Sequence, residues 1–267
     1  MRAVLGIDAA WTSTQPSGVA LAAETSSGWT LVAAESSYER FNALAIDRLA
    51  PGIRPRGSTP SASTLLASAL AVCGRQVDLV AVDMPLAFEP ITGRRISDNA
   101  VSKTYGGRKC GTHTPSKSRP GKMSDILREE FHRADYELQT TSISPPGLIE
   151  VYPHPALLEL ARAPERLPYK ASKTGTYWPS LAPAERRVRL FDQWGEIAAL
   201  LEGEIKGVAS AFPGLNPNAA GWVMKAYEDA LDAVVCAWVA ICALEGRATA
   251  FGDQQSAIWI PLQVPAD

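Results

Sequence analysis

The sequence predicts an α/β fold built on a mixed sheet, an antiparallel three-strand meander joined to parallel strands, with helices flanking it. Three observations carry this. Two short, uninterrupted apolar runs end abruptly in a carboxylate, Ala3 to Asp8 and Leu79 to Asp83. The first is followed by two strand-like runs with short connections. Long amphipathic stretches then fill much of the second half. The 267 residues, 46% apolar and 20% charged, have an ordinary globular composition. They are read as one elaborated domain spanning 1–267, with a basic insertion at about 90–146 and a helical one at about 155–215.

The opening run fits a central strand covered on both faces. GVALAAE and WTLVAAESS, separated by Thr25 to Gly28, read as an antiparallel hairpin. Pro51 to Pro60 is a loop rich in Pro, Gly and Arg. Ser63 to Arg75 is a helix with Leu65, Leu66, Ala69, Leu70 and Cys73 on one face, and Gly74 is placed to end it. A helix between the meander and the run Val77 to Leu86 implies a crossover, hence a parallel strand beside the first. Gly147 to Pro155 reads as another strand, with His154 in a rigid loop just past it. Pro183 to Val208 is a long amphipathic helix, and Ala220 to Arg247 a buried one. Ser256 to Pro261 reads as an edge strand ended by its proline.

The chemistry concentrates in carboxylates. Asp8 and Asp83 each follow a buried strand, where α/β folds place ligands. Two like charges on one sheet edge are costly unless a cation lies between them. Capping of the following turn is the competing use for each. On the last long helix Asp229 and Asp232 are three residues apart and share a face, as do Glu228 and Asp232. Asp232 lies among Leu231, Ala233 and Val234, and a carboxylate so placed needs a partner. Glu150, inside an apolar strand, approaches the same edge if that strand is parallel, or faces solvent. His154 is open to three readings: general base, metal ligand or hydrogen-bonded loop residue.

The net charge of −2 points to no anionic partner, but its distribution does. Arg94 to Arg133 carries a net +6 and Arg162 to Arg189 a net +5. Such segments are a footprint for an anionic partner, with solvated helix faces as the alternative. Tyr105, Tyr169, Tyr177 and Trp178 are interleaved as base-stacking platforms would be, and GGRKCGTH and RPGK could present backbone N–H groups to phosphate. Cys110 and His113 supply only two zinc ligands, with no second pair at a usual spacing. The remaining cysteines lie in apolar helical stretches, and no leader-like segment precedes the first strand, so a cytoplasmic setting is expected. The longest apolar run, Ala233 to Leu244, is shorter than the roughly 18 residues of a membrane span, so no membrane partner is expected.

Taken in order, GIDAAWT, AVDMPL, the RRxxD…YGGRKCGTH segment, IEVYPHP, LPYKASK and EDALDA resemble the domain of unknown function family 429 over nearly the whole chain. The order of elements is similar to the ribonuclease H fold, and the DxxD pair on the last helix to its Holliday-junction resolvase branch. The resemblance implies a ribonuclease H-like nuclease with a carboxylate site for Mg²⁺ or Mn²⁺, carried by Asp8, Asp83 and Asp229 or Asp232. In resolvases the second strand's acid is usually Glu, one methylene longer than Asp83. The expected activity is divalent-metal-dependent phosphodiester hydrolysis of DNA or RNA. Asp8 would bridge two cations about 3.5–4 Å apart, and Glu150 is a further catalytic candidate. Arg94, Arg95, Arg108, Lys109, His113 and Lys170 are candidates for holding nucleic-acid phosphates. A homodimer would suit a resolvase-like enzyme, but the sequence displays no dimer seam. Two other readings stand beside this one: a non-catalytic nucleic-acid-binding module, and a small-molecule kinase of the actin-like superfamily. The kinase needs two such domains, and AAWTSTQPSG lacks a glycine-rich phosphate cradle.

Overall fold

Apolar residues in the strands divide cleanly by parity. Val4, Ala20, Ala22, Leu79, Ala81, Ile149 and Val151 face one core, and Leu5, Ile7, Val19, Leu21, Val80, Val82 and Leu148 face the other. Such a sheet is covered on both faces, as the uninterrupted runs predict. The computed structural model describes residues 1–46 and 52–262. The expected loop at 51–60 is therefore described from Gly52 onward.

The chain opens with the meander β1 (Ala3–Asp8), β2 (Gly18–Thr25) and β3 (Gly28–Glu35). α1 (Tyr38–Leu44) and α2 (Ala62–Cys73) cross over to β4 (Leu79–Val82). Ser61 caps α2 by accepting from the Thr64 amide, and Gly74 closes it at φ 71°. α3 (Ile96–Tyr105), α4 (Lys122–His132) and the short β5 (Glu137–Leu138) lead to β6 (Gly147–Val151). A helical stretch comes next: α5 (Pro153–Leu160), α6 (Thr174–Tyr177), α7 (Pro183–Glu202) and α8 (Val208–Ala211). α9 (Gly221–Leu244), β7 (Ala248–Gly252) and β8 (Ala257–Pro261) complete the described chain.

The eight strands form one mixed sheet in the order β3-β2-β1-β4-β6-β8-β7, with β5 also pairing with β6. β1 pairs antiparallel with β2 and parallel with β4, as the crossover argument requires. β4, β6 and β8 continue in parallel, and β7 returns antiparallel to β8. Three local expectations differ from what is found. β8 is an inner strand: its AIWIP is buried throughout, and β7 takes the edge. His154 lies in the first turn of α5, where Pro153 suits the helix start. The helix expected over Pro183 to Val208 stops at Glu202, beyond which Gly203 and Gly207 break it before α8. No helix among the described residues is long and apolar enough to cross a membrane.

α9 sets the geometry of the acidic site because it lies directly on β1 and β2. A Cβ at Gly6 would stand 2.2 Å from the Ala233 carbonyl oxygen and 2.3 Å from the Ala237 nitrogen. A Cβ at Gly18 would stand 1.9 Å from the carbonyl oxygen of Asp229. Only glycine permits these backbone approaches. Gly6→Ala must therefore lift α9, and over-packing of this kind costs about 1–3 kcal/mol. Urea unfolding should show a lower midpoint with an unchanged slope. Gly195→Ala, on an exposed part of α7 with open space around it, should instead raise stability by up to about 1 kcal/mol. Equal midpoints for Gly6→Ala and the parent would contradict the contact.

Candidate functional site

Strand parity decides which carboxylates meet. Asp8 continues the series Val4, Gly6 on β1, and Asp83 continues Leu79, Ala81 on β4, so both fall on the face covered by α9. The Asp83 amide donates to the Ile7 carbonyl at 2.9 Å, which carries the β1–β4 ladder up to the two acids. Gly18 pairs with Asp8 in the sheet and touches the backbone of Asp229, so α9 brings Asp229 over the end of β1. Asp8, Asp83 and Asp229 line one cleft of about 1260 Å³. Glu150 has the opposite parity, paired with Val82 on the other face.

Two lysines stand among these acids. Lys170, just before a short 3-10 turn at Ala171–Lys173, donates to Asp232 and lies 3.6 Å from Glu228. Asp232 also accepts from the Tyr169 hydroxyl at 2.9 Å. Lys225 pairs with Asp229, and with Glu228 at 3.2 Å. Glu228 further accepts from the Ala171 amide at 2.6 Å, tying this segment to α9. Five carboxylates thus face two ammonium groups. Asp8 and Asp83 accept no hydrogen bond from another described residue, and the buried Oδ2 of Asp229 lacks a partner.

The electrostatics follow from enclosure. Burial raises Asp8 to about 7, with Lys170 opposing and Asp229 adding to the shift. Burial, then Asp8, raises Asp83 well above the usual carboxylate range. Asp229 is raised to about 6 by burial against the pull of Lys225, and Asp232 to about 6 by burial against the pull of Lys170. Burial acts to lower Lys170, but Asp232, Tyr169, Glu228 and Asp8 together hold it well above the ordinary lysine value. It is a fixed cation. His154 is buried behind the site, its ring centroid 5.3 Å from that of Tyr169, and burial followed by Lys170 holds it well below the ordinary value. Its Nδ1 makes no hydrogen bond.

The remaining candidates are placed elsewhere. Glu150 accepts from Arg95 Nη2 and from the Leu86 amide, each at 2.7 Å, and Arg95 also binds Asp98 at the start of α3. This buried cluster ties β6 to the segment leading into α3. Arg94 bonds Asn99 at 2.7 Å and Thr114 at 3.1 Å, bracing the loop around Thr112. Arg108 pairs with Glu159 at 3.0 Å and Lys109 with Glu165 at 2.6 Å. Of the six candidate phosphate-binding residues, His113 and Lys170 line the cleft. Sequence reasoning missed Lys225, although its spacing to Glu228 and Asp229 carries the signal. Trp11, Arg54, Arg56, Arg119 and Trp222 also line the cleft.

A divalent cation fits the chemistry of this donor set. The donors are all carboxylate oxygens, as hard cations prefer, and two of the acids lack a hydrogen-bond donor. No group of three or more His, Cys, Asp or Glu side chains among the described residues is already gathered around one point. That includes Cys110, which is buried without a metal-binding set.

The fold and site define an α/β protein with a cleft at the carboxyl ends of two adjacent parallel strands, where Asp8, Asp83 and Asp229 line it. The chain belongs to the family described as Protein of unknown function (DUF429), whose model matches residues 6–256. No curated protein and no solved structure matches it.

The raised carboxyls make stability depend on pH. Their folded-state values lie above the ordinary value of about 4, so their contribution is fully present below about pH 4. It is lost as the pH rises through about 6 to 7. Without divalent cations, Asp8→Asn should have a higher Tm than the parent at pH 8, and the difference should vanish by pH 4. A lower Tm for Asp8→Asn at pH 8 would contradict the electrostatic account.

Proposed function

We propose that this chain is a divalent-metal-dependent phosphodiesterase acting on nucleic acid, built on a ribonuclease H-like sheet. One observation carries the reading. Asp8 and Asp83 end neighbouring parallel strands on the face beneath α9, in a cleft shared with Asp229 and without hydrogen-bond donors of their own. The strand order β3-β2-β1-β4, with β2 antiparallel, supports the ribonuclease H-like assignment.

In this reading Asp8, Asp83 and Asp229 hold Mg²⁺ or Mn²⁺. The bound cation would lower the pKa of water and offset charge on the phosphoryl oxygens. Asp232 plays a different part. Engaged by Lys170 and Tyr169, it fixes the Lys170 ammonium beside the acids. Lys225, more than half exposed at 55%, would be placed to reach a substrate phosphate. Glu150, Arg95, Arg94 and Arg108 support the walls rather than the reaction.

The binding-module reading is favoured by one fact, that Lys170 and Lys225 already offset part of the acidic charge. The kinase reading lacks the second sheet it requires, since the described residues build one.

Asp8→Asn and Asp83→Asn should each abolish Mn²⁺ uptake in calorimetry. Each should also slow cleavage of labelled single-stranded DNA, duplex DNA and RNA by at least about a hundredfold, since even indirect supports of metal sites are worth 10–100-fold. Circular dichroism should confirm the fold. Undiminished metal-dependent cleavage would overturn the assignment, and nucleic-acid binding without Mn²⁺ uptake in the parent would favour the binding module.

A further inference from the structure

The cleft has two walls of opposite character. Its floor is the acidic group described above. Its rim carries Arg54, Arg56 and Arg119, all exposed. Their guanidinium groups form no ion pair among the described residues. These arginines are not scattered. A Cβ at Gly57 would stand 2.4 Å from the Thr14 backbone and 2.5 Å from that of Gln15, so the loop bearing Arg54 and Arg56 lies against the loop that follows β1. Arg119 projects from a tight turn closed by paired backbone bonds with Ser116, at 2.7 and 3.1 Å. Its guanidinium stands 5.6 Å from the centre of the Trp11 ring, and Trp11 lies on the same loop that Gly57 touches. Half-buried Trp11 packs partly against the core, while Trp222 lines the cleft near Lys225.

A basic rim, a tryptophan with an arginine against its face, and an acidic floor are the components of a groove for unpaired nucleotides. Guanidinium groups track the backbone, and an aromatic face takes bases without reading their sequence. The volume of about 1260 Å³ exceeds the roughly 300–1,000 Å³ of small-molecule pockets, so several linked nucleotides suit it better than one. Outside the cleft, Arg95 is engaged by Glu150, Arg108 by Glu159 and Arg133 by Glu129 and Glu130, whereas the three arginines of the rim pair with no carboxylate among the described residues.

We propose that the substrate is single-stranded nucleic acid, held with its phosphates on Arg54, Arg56 and Arg119, the Arg119 guanidinium moving from the Trp11 ring to a phosphate so that one base takes its place on that face. This deepens the phosphodiesterase reading and rests on it for the cleavage step, but the binding itself can be tested alone. Fluorescence anisotropy of labelled dT12, with the full chain in buffer free of divalent cations so that no cleavage competes, over a range of salt, should show tighter binding than to a 12-base-pair duplex. dTMP should compete poorly. Trp11→Ala should weaken dT12 binding by about 5- to 150-fold, while Trp11→Phe retains most of it. Arg119→Gln should lower the slope of log K against log salt by about 0.7, and the Arg54→Gln, Arg56→Gln double variant by about twice that. Equal or tighter duplex binding, dTMP competing on a par with dT12, or unchanged binding in both the Trp11→Ala and the arginine variants would each overturn the proposal. Mn²⁺ calorimetry on the same preparations separates the two claims. Uptake of Mn²⁺ with arginine variants that bind normally sinks the groove alone. Arginine-dependent binding without Mn²⁺ uptake sinks the metal reading alone.

Discussion

The close contact of α9 with β1 at Gly6 is the constraint on which the site depends. A helix lying backbone-to-backbone on a strand needs a residue without a side chain beneath it, and Gly6 and Gly18 provide two. The contact fixes α9 along its length, so Asp229 arrives over the end of β1 while Asp232 and Glu228 turn toward Lys170. The sheet contributes the other half. Parallel pairing of β1 with β4 ends both strands at one edge, and equal parity aims Asp8 and Asp83 into the same layer. No single element makes the site; Asp8, Asp83 and Asp229 face one cleft because two backbone contacts agree.

Bringing these acids together is unfavourable without compensation, and the molecule compensates in part. Lys170 and Lys225 each engage α9 carboxylates, and the Tyr169 hydroxyl and Ala171 amide supply further hydrogen bonds. The strand carboxylates receive nothing comparable and stay raised by burial. The strain therefore concentrates on Asp8 and Asp83, where a cation would relieve it most. The cost is borne by a well-covered sheet, with apolar cores on both faces.

Much of this is legible in the sequence where local pattern suffices. An apolar run that halts at a carboxylate marks Asp8 and Asp83, and a polar pair inside an apolar helix marks Asp229 and Asp232. Glu150 is not legible because Leu148, Ile149 and Val151 surround it with apolar neighbours on both parities. Only its register with Val82 shows which face it takes. Arg108 looks like a free cation because its partner Glu159 lies 51 residues away, and the local pair of Arg95 with Asp98 gives no sign of Glu150, 55 residues away. The inner position of β8 is hidden by Pro261, which ends the strand without exposing it. Gly6 carries no local mark at all, since its reason is a helix more than two hundred residues downstream.

The central claim is that Asp8, Asp83 and Asp229 form one cation site. Anomalous diffraction from crystals soaked in Mn²⁺ tests it most directly. The account predicts a manganese peak bounded by these three carboxylates, with the Lys225 ammonium withdrawn from Asp229 and Lys170 still on Asp232. A cleft without a manganese peak, with both lysines still paired to the acids of α9, would contradict it.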